Sequence, residues 1–122
     1  MDEKLNSLEH AILSEIEKSH RETHPFLKEH MLDLKVSSRE FTGVGVYVHF
    51  DAKGQKRQKN KISKEKTYLG VNKSFYIDTL EFPISFELNL SEEGVLEFLE
   101  IVSNDDKTWN GEFNKFTIEE ED

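Results

Sequence analysis

The sequence predicts an α+β domain, with an N-terminal amphipathic helix packed on a curved, mainly antiparallel sheet of about six strands. Three observations predict it. Leu5, Leu8, Ile12 and Ile16 recur at spacings of three and four, the stripe of a helix with one buried face. Beyond residue 34 the apolar period changes to two, and no further helical stripe appears. Residues 83–102 read as a β-hairpin: Ile84, Phe86, Leu88 and Leu90 alternate with Ser85, Glu87, Asn89 and Ser91, and Ser91-Glu92-Glu93-Gly94 forms the turn. The return run, residues 95–102, is apolar on both parities apart from Glu97 and Glu100, as in a central strand covered on both faces.

In chain order, the first helix spans about residues 2–20, with Leu13 beside its stripe, and Pro25 interrupts it. Residues 26–32 carry a weaker stripe and suit a short second helical turn. Residues 34–41 form a candidate strand, with Leu34 and Val36 on one parity. In residues 42–50, Val44, Val46, Val48 and Phe50 share one face, and Gly43, Gly45, Tyr47 and His49 share the other. Two strand glycines mark close approach of another element, and a packed helix backbone is the simplest candidate. Residues 51–66 hold one strongly apolar residue, Ile62, and read as a long loop. Strand character resumes at 68–71 and 75–80. After the hairpin come a polar turn at 103–107, Trp109, a last strand at 113–118 and a charged tail expected to fray.

A chain of 122 residues suffices for one domain and one core. It has no cysteine, which excludes disulfides, thiol catalysis and thiolate metal sites and agrees with a cytoplasmic home. The acidic start MDEKLNSLEH has no apolar signal core, and no apolar run has the length of a membrane span. Net charge is −9, unevenly placed: residues 53–66 carry +6, the remainder −15, and residues 78–122 alone −12. Such an acidic body repels phosphate, so nucleic-acid or anion contact is expected only through the 53–66 segment, where Lys56 and Arg57 are the candidate contacts. That segment has no aromatic residue for base stacking.

Few residues ask for chemistry. His20 and His24 share a helical face, but Pro25 follows at once and no third ligand suggests itself, so neither metal nor cofactor is expected. Asp105 and Asp106 lack the ligand spacing of a calcium loop and read first as turn residues. Glu97 and Glu100 lie three apart on a strand and point to opposite faces, so they cannot act as a carboxylate pair. Glu100 interrupts an apolar face and needs a partner, for which Arg39 and Lys35 are candidates. No glycine-rich phosphate loop and no G-x-S-x-G motif is present.

Several short segments resemble a family of small bacterial domains: His24-Pro25-Phe26-Leu27, the run Val36-Ser37-Ser38-Arg39-Glu40-Phe41-Thr42-Gly43-Val44-Gly45 closed by Phe50, Leu69-Gly70, Ile77-Asp78-Thr79-Leu80, Phe86-Glu87-Leu88-Asn89-Leu90, Gly94, Leu99-Glu100, and Asp106 with Trp109. Asn110 stands where the family pattern has proline, and the basic 51–66 segment is longer than the family's connection. The resemblance implies an α+β domain and brings no activity with it. In size, acidity and lack of cysteine the chain is also similar in type to toxin-immunity proteins.

The functional expectation is a non-enzymatic, protein-binding domain that meets a basic partner through its acidic surface. The alternatives are a ligand or enzyme pocket on the sheet face near Glu100 and Trp109, and anion or nucleic-acid contact through Lys56, Arg57, Lys59 and Lys61. The candidate binding residues are Glu100, Asp105, Asp106, Trp109, Lys56 and Arg57.

Overall fold

The structure is a computed structural model that describes residues 4–32, 34–53, 55 and 67–120. Helix α1 spans Ser7–Ser19. It starts later than its apolar stripe suggests because Asn6 caps it. The Asn6 side chain accepts from the Glu9 backbone N–H at 2.8 Å, and the Glu9 carboxylate accepts from the Asn6 N–H at 2.9 Å. This reciprocal box satisfies two of the amides that a helix start leaves without partners. After Pro25 comes α2, Leu27–Leu32.

Among the described residues seven strands follow: β1 (Val36–Phe41), β2 (Gly45–Phe50), β3 (Thr67–Leu69), β4 (Lys73–Ile77), β5 (Ser85–Leu90), β6 (Leu96–Val102) and β7 (Phe116–Glu120). All pairings are antiparallel. Five strands make one sheet in the order β1-β2-β6-β5-β3, and β4 pairs with β7 in a separate ribbon. The α+β class and the antiparallel sheet are therefore as the sequence predicts, but the strands divide into two sheets. The division falls where the chain turns at 78–83. Past Ile77 the Leu80 N–H returns to the Ile77 carbonyl, and the single bridge Phe75–Ile84 joins the ribbon to β5.

The hairpin at 83–102 supplies β5 and β6, with Gly94 at φ +78° in its turn, and β6 is the middle strand. Coverage of β6 is one-sided: Leu99 and Ile101 are buried, whereas Phe98, Glu100 and Val102 on the other face are half-buried. The element that approaches Gly45 is a strand: a Cβ there would stand 2.0 Å from the Ile101 carbonyl oxygen of β6.

The core lies between one face of the five-stranded sheet, α1 and the ribbon. Val48, Leu88, Leu99 and Ile101 come from the sheet, Leu8, Ile12 and Ile16 from the predicted helix stripe, and Phe75 and Ile77 from the ribbon. Leu5, at the end of that stripe, is partly buried against the same cluster. Phe75 meets Phe86 edge-on at 5.0 Å between centroids and stacks on Phe116 at 6.2 Å.

Two ion pairs pin α1 in place. Glu9 is 1% exposed, and its carboxylate receives Arg39 Nε at 2.9 Å and Nη2 at 2.7 Å. Arg39 Nη2 also donates to the Lys4 carbonyl. Further along the helix, buried Glu15 is paired with Lys73 of β4. The hydrogen bond from Lys73 holds the Glu15 carboxyl below its ordinary 4.5, and the same bond raises the Lys73 ammonium above its ordinary 10.5.

Removing one member of a buried ion pair strands the other, at a cost of about 3–5 kcal/mol, whereas a neutral replacement of both is far milder. Arg39→Met alone should therefore lower the urea-unfolding free energy by about 3 kcal/mol. The double variant Glu9→Gln/Arg39→Met should be more stable than the sum of its single changes. Strict additivity would show that the pair does not hold the helix to the sheet.

Candidate functional site: the open face of the sheet

The polar parity of each strand lies on the face opposite α1, and no helix or strand of the described residues packs over it. Strand register places these side chains in rows. One row runs Glu40, Tyr47, Glu100, Glu87 across β1, β2, β6 and β5. The next runs Ser38, His49, Phe98, Asn89, Tyr68 and ends on β3. Directly opposed side chains on neighbouring strands stand about 5 Å apart at Cβ, close enough to interact.

The first row is anionic. Glu87 and Glu100 face each other directly, a juxtaposition that costs stability between like charges. Tyr47 stands directly opposite Glu100, and the carboxylate beside it, as hydrogen-bond acceptor and as a negative charge, raises the Tyr47 phenol above its ordinary 10.0. Glu40 lies 3.3 Å from His49 Nε2. No lysine or arginine among the described residues is paired with Glu40, Glu87 or Glu100.

Beside this row is an aromatic patch. The Tyr47 and Phe98 rings meet edge-on at 5.6 Å, while His49 lies tilted to Phe98 at 5.8 Å and to Tyr47 at 6.3 Å. Tyr68 extends the patch and is 60% exposed. Carboxylates next to ring faces suit an ammonium or guanidinium group, which donates charge-assisted hydrogen bonds to the first and gains cation–π attraction from the second.

The residues singled out from the sequence do not converge here, apart from Glu100. Arg39 is not its partner. A β-bulge between Val36 and Ser38 shifts the parity of β1, so Arg39 points to the helix side and meets Glu9. Trp109 is 3% exposed within the core, and its indole N–H donates to the Glu112 carbonyl at 2.8 Å. Glu100 and Trp109 thus lie on opposite faces of the sheet and do not line one pocket. Asp105 works as a turn residue. Its carboxylate accepts the Glu81 and Phe82 N–H groups at 2.7 and 2.8 Å, and these bonds lower its pKa below the ordinary 3.8. Asp106 is exposed. Lys56 and Arg57 lie outside the described residues, as does the rest of 56–66.

His20 and His24 stand edge-on at 6.0 Å, and His20 Nε2 is bonded to the Gly70 carbonyl at 2.7 Å. Among the described residues no three metal-ligating side chains come together, and no helix is long and apolar enough to cross a membrane. One groove of about 240 Å3 runs between the helices beside Leu5, Leu13 and Met31, and another of about 310 Å3 lies beside Lys73, Ser85 and Asn104.

Tyr47, His49, Phe98, Glu40 and Glu87 were not among the residues marked from the sequence. Their parity was visible, since Tyr47 and His49 alternate with valines and Glu87 with leucine and phenylalanine. Their convergence depends on strand order, which alternation alone does not give. Comparison of the chain with protein-family models, with curated proteins and with solved structures finds no match.

The Tyr47–Glu100 contact has a spectroscopic consequence. Replacement Glu100→Gln removes the charge that opposes phenolate formation, so Tyr47 should titrate at lower pH than in the parent protein. NMR of the Tyr47 ring carbons against pH reads this directly. An unchanged titration would place the hydroxyl away from the carboxylate.

Proposed function

We propose that the protein is a non-enzymatic, protein-binding domain that engages a basic partner through the open face of its five-stranded sheet. The observation that carries this reading is the Glu40-Tyr47-Glu100-Glu87 row. Two of its carboxylates are held directly opposite each other with no described lysine or arginine paired to them. Their mutual repulsion is a cost that a partner's cation relieves on binding. The aromatic patch alongside supplies apolar contact area and ring faces, the two features in which interface centres are rich.

The charge of the whole chain acts in the same direction. With residues 53–66 set aside the chain carries −15, which steers a positively charged protein toward it and raises the association rate. A cationic toxin domain, the partner type implied by the likeness to immunity proteins, has this chemistry. The reading places no reacting group on the face: Tyr47 and the carboxylates serve as hydrogen-bond and charge partners.

The test uses the full chain as bait at low salt, beside a Glu87→Gln/Glu100→Gln bait. The parent should retain a basic protein that the variant retains about tenfold more weakly, and raising the salt should release it. Equal retention by both baits, or retention indifferent to salt, would contradict the assignment of binding to this row.

A further inference from the structure

Strand β1 forms one edge of the five-stranded sheet, and among the described residues it pairs with β2 alone. It is six residues long, against three for β3 at the opposite edge. Four of its six residues are exposed, including Phe41 at 59%.

The hydrogen-bond phase of the hairpin sets which backbone groups face outward. The Thr42 N–H donates to the Gly45 carbonyl at 3.0 Å, so these two form a hydrogen-bonded pair. Antiparallel pairs alternate between bonded and non-bonded. In the β1–β2 register, Phe41–Val46 and Arg39–Val48 are then non-bonded pairs, while Glu40–Tyr47 is bonded. The N–H and C=O groups of Arg39 and Phe41 therefore point away from β2, toward the outer edge. Among the described residues no strand pairs with this side of β1, and a sheet edge of this kind is a template for an added strand.

We infer that this edge takes up an extended segment of the partner by strand addition, and that the segment alternates basic with apolar residues. The inference rests on the acidic-face reading and states how that face is engaged. Alternation follows from the period of two. Side chains of an added strand that share the open face would stand beside Ser38 and Glu40, at the end of the anionic row, where lysine or arginine is complementary. Those on the other face would stand beside Arg39 and Phe41. Arg39 is already engaged by Glu9, which leaves the exposed Phe41 ring as the contact and favours an apolar residue. Main-chain bonds supply affinity in this mode, and the side-chain pattern supplies selectivity.

The test titrates the full chain with three short capped peptides: one alternating lysine with valine, a scramble of the same composition with the lysines in a block, and the alternating peptide N-methylated at every second amide. The alternating peptide should bind about tenfold more tightly than the other two and should slow amide exchange at Arg39 and Phe41. The variant Glu40→Lys should weaken it further, because it places a cation where the peptide's own cation must sit. If the alternating and scrambled peptides bind alike and equally salt-sensitively, strand addition is wrong while the acidic face still stands as a binding surface. If the alternating peptide binds without slowing exchange at Arg39 and Phe41, the edge is likewise excluded. If no peptide binds, the edge proposal fails, and the bait experiment decides separately whether the face reading fails with it.

Discussion

The Glu9–Arg39 pair is the contact on which the arrangement of this fold depends. Glu9 does two jobs at once. It closes the capping box that starts α1, and it receives both forks of the Arg39 guanidinium from β1. A carboxylate at 1% exposure is tolerable only because its oxygens are met by the Asn6 amide and by a charged fork. The start of the helix and the edge of the sheet are thereby fixed together. The Leu8, Ile12 and Ile16 stripe then descends onto one face of the sheet, and Glu15 repeats the tie to Lys73 further along.

The same contact decides the character of the opposite face. Were β1 regular, Arg39 would share a face with Glu40's neighbours on the solvent side, near enough to compensate the anionic row. The bulge after Val36 turns it to the helix instead. One extra residue in a strand thus removes a cation from one face and uses it on the other. The open face keeps Glu40, Glu87 and Glu100 around Tyr47, with Phe98 and His49 beside them. Sheet stability would be better served by a mixed set of charges there. A departure of this kind from local optimality is where function is sought.

Much of this was legible in the sequence. The helical stripe, the 83–102 hairpin and the one-sided polarity of β5 follow from periodicity, because burial imposes the period directly. Strand β6 is central as expected, but its two apolar parities do not mean two covered faces, since Phe98, Glu100 and Val102 are half-buried. The partner of Glu100 was not legible. Assigning it requires the parity of Arg39, and a bulge inverts parity without leaving a sequence signature in Val36-Ser37-Ser38. Trp109 was misplaced for a related reason. Its surroundings are polar, Lys107-Thr108 before it and Asn110-Gly111 after, which suggests a surface position. The indole is nonetheless drawn into the core, where the Glu112 carbonyl satisfies its N–H. The split into two sheets likewise depends on one turn, at 78–83, whose residues suit a tight connection within a single sheet equally well.

The central claim is that no helix or strand among the described residues covers this sheet face, whose aromatic rings lie in a field of negative charge. The most direct measurement is solvent paramagnetic relaxation of the Tyr47 and Phe98 ring protons in the full chain, comparing a cationic with a neutral co-solute. The account predicts that both co-solutes reach these rings, that the cationic one relaxes them more strongly, and that added salt abolishes the difference. Rings shielded from both co-solutes, or relaxed equally by the two at low salt, would contradict it.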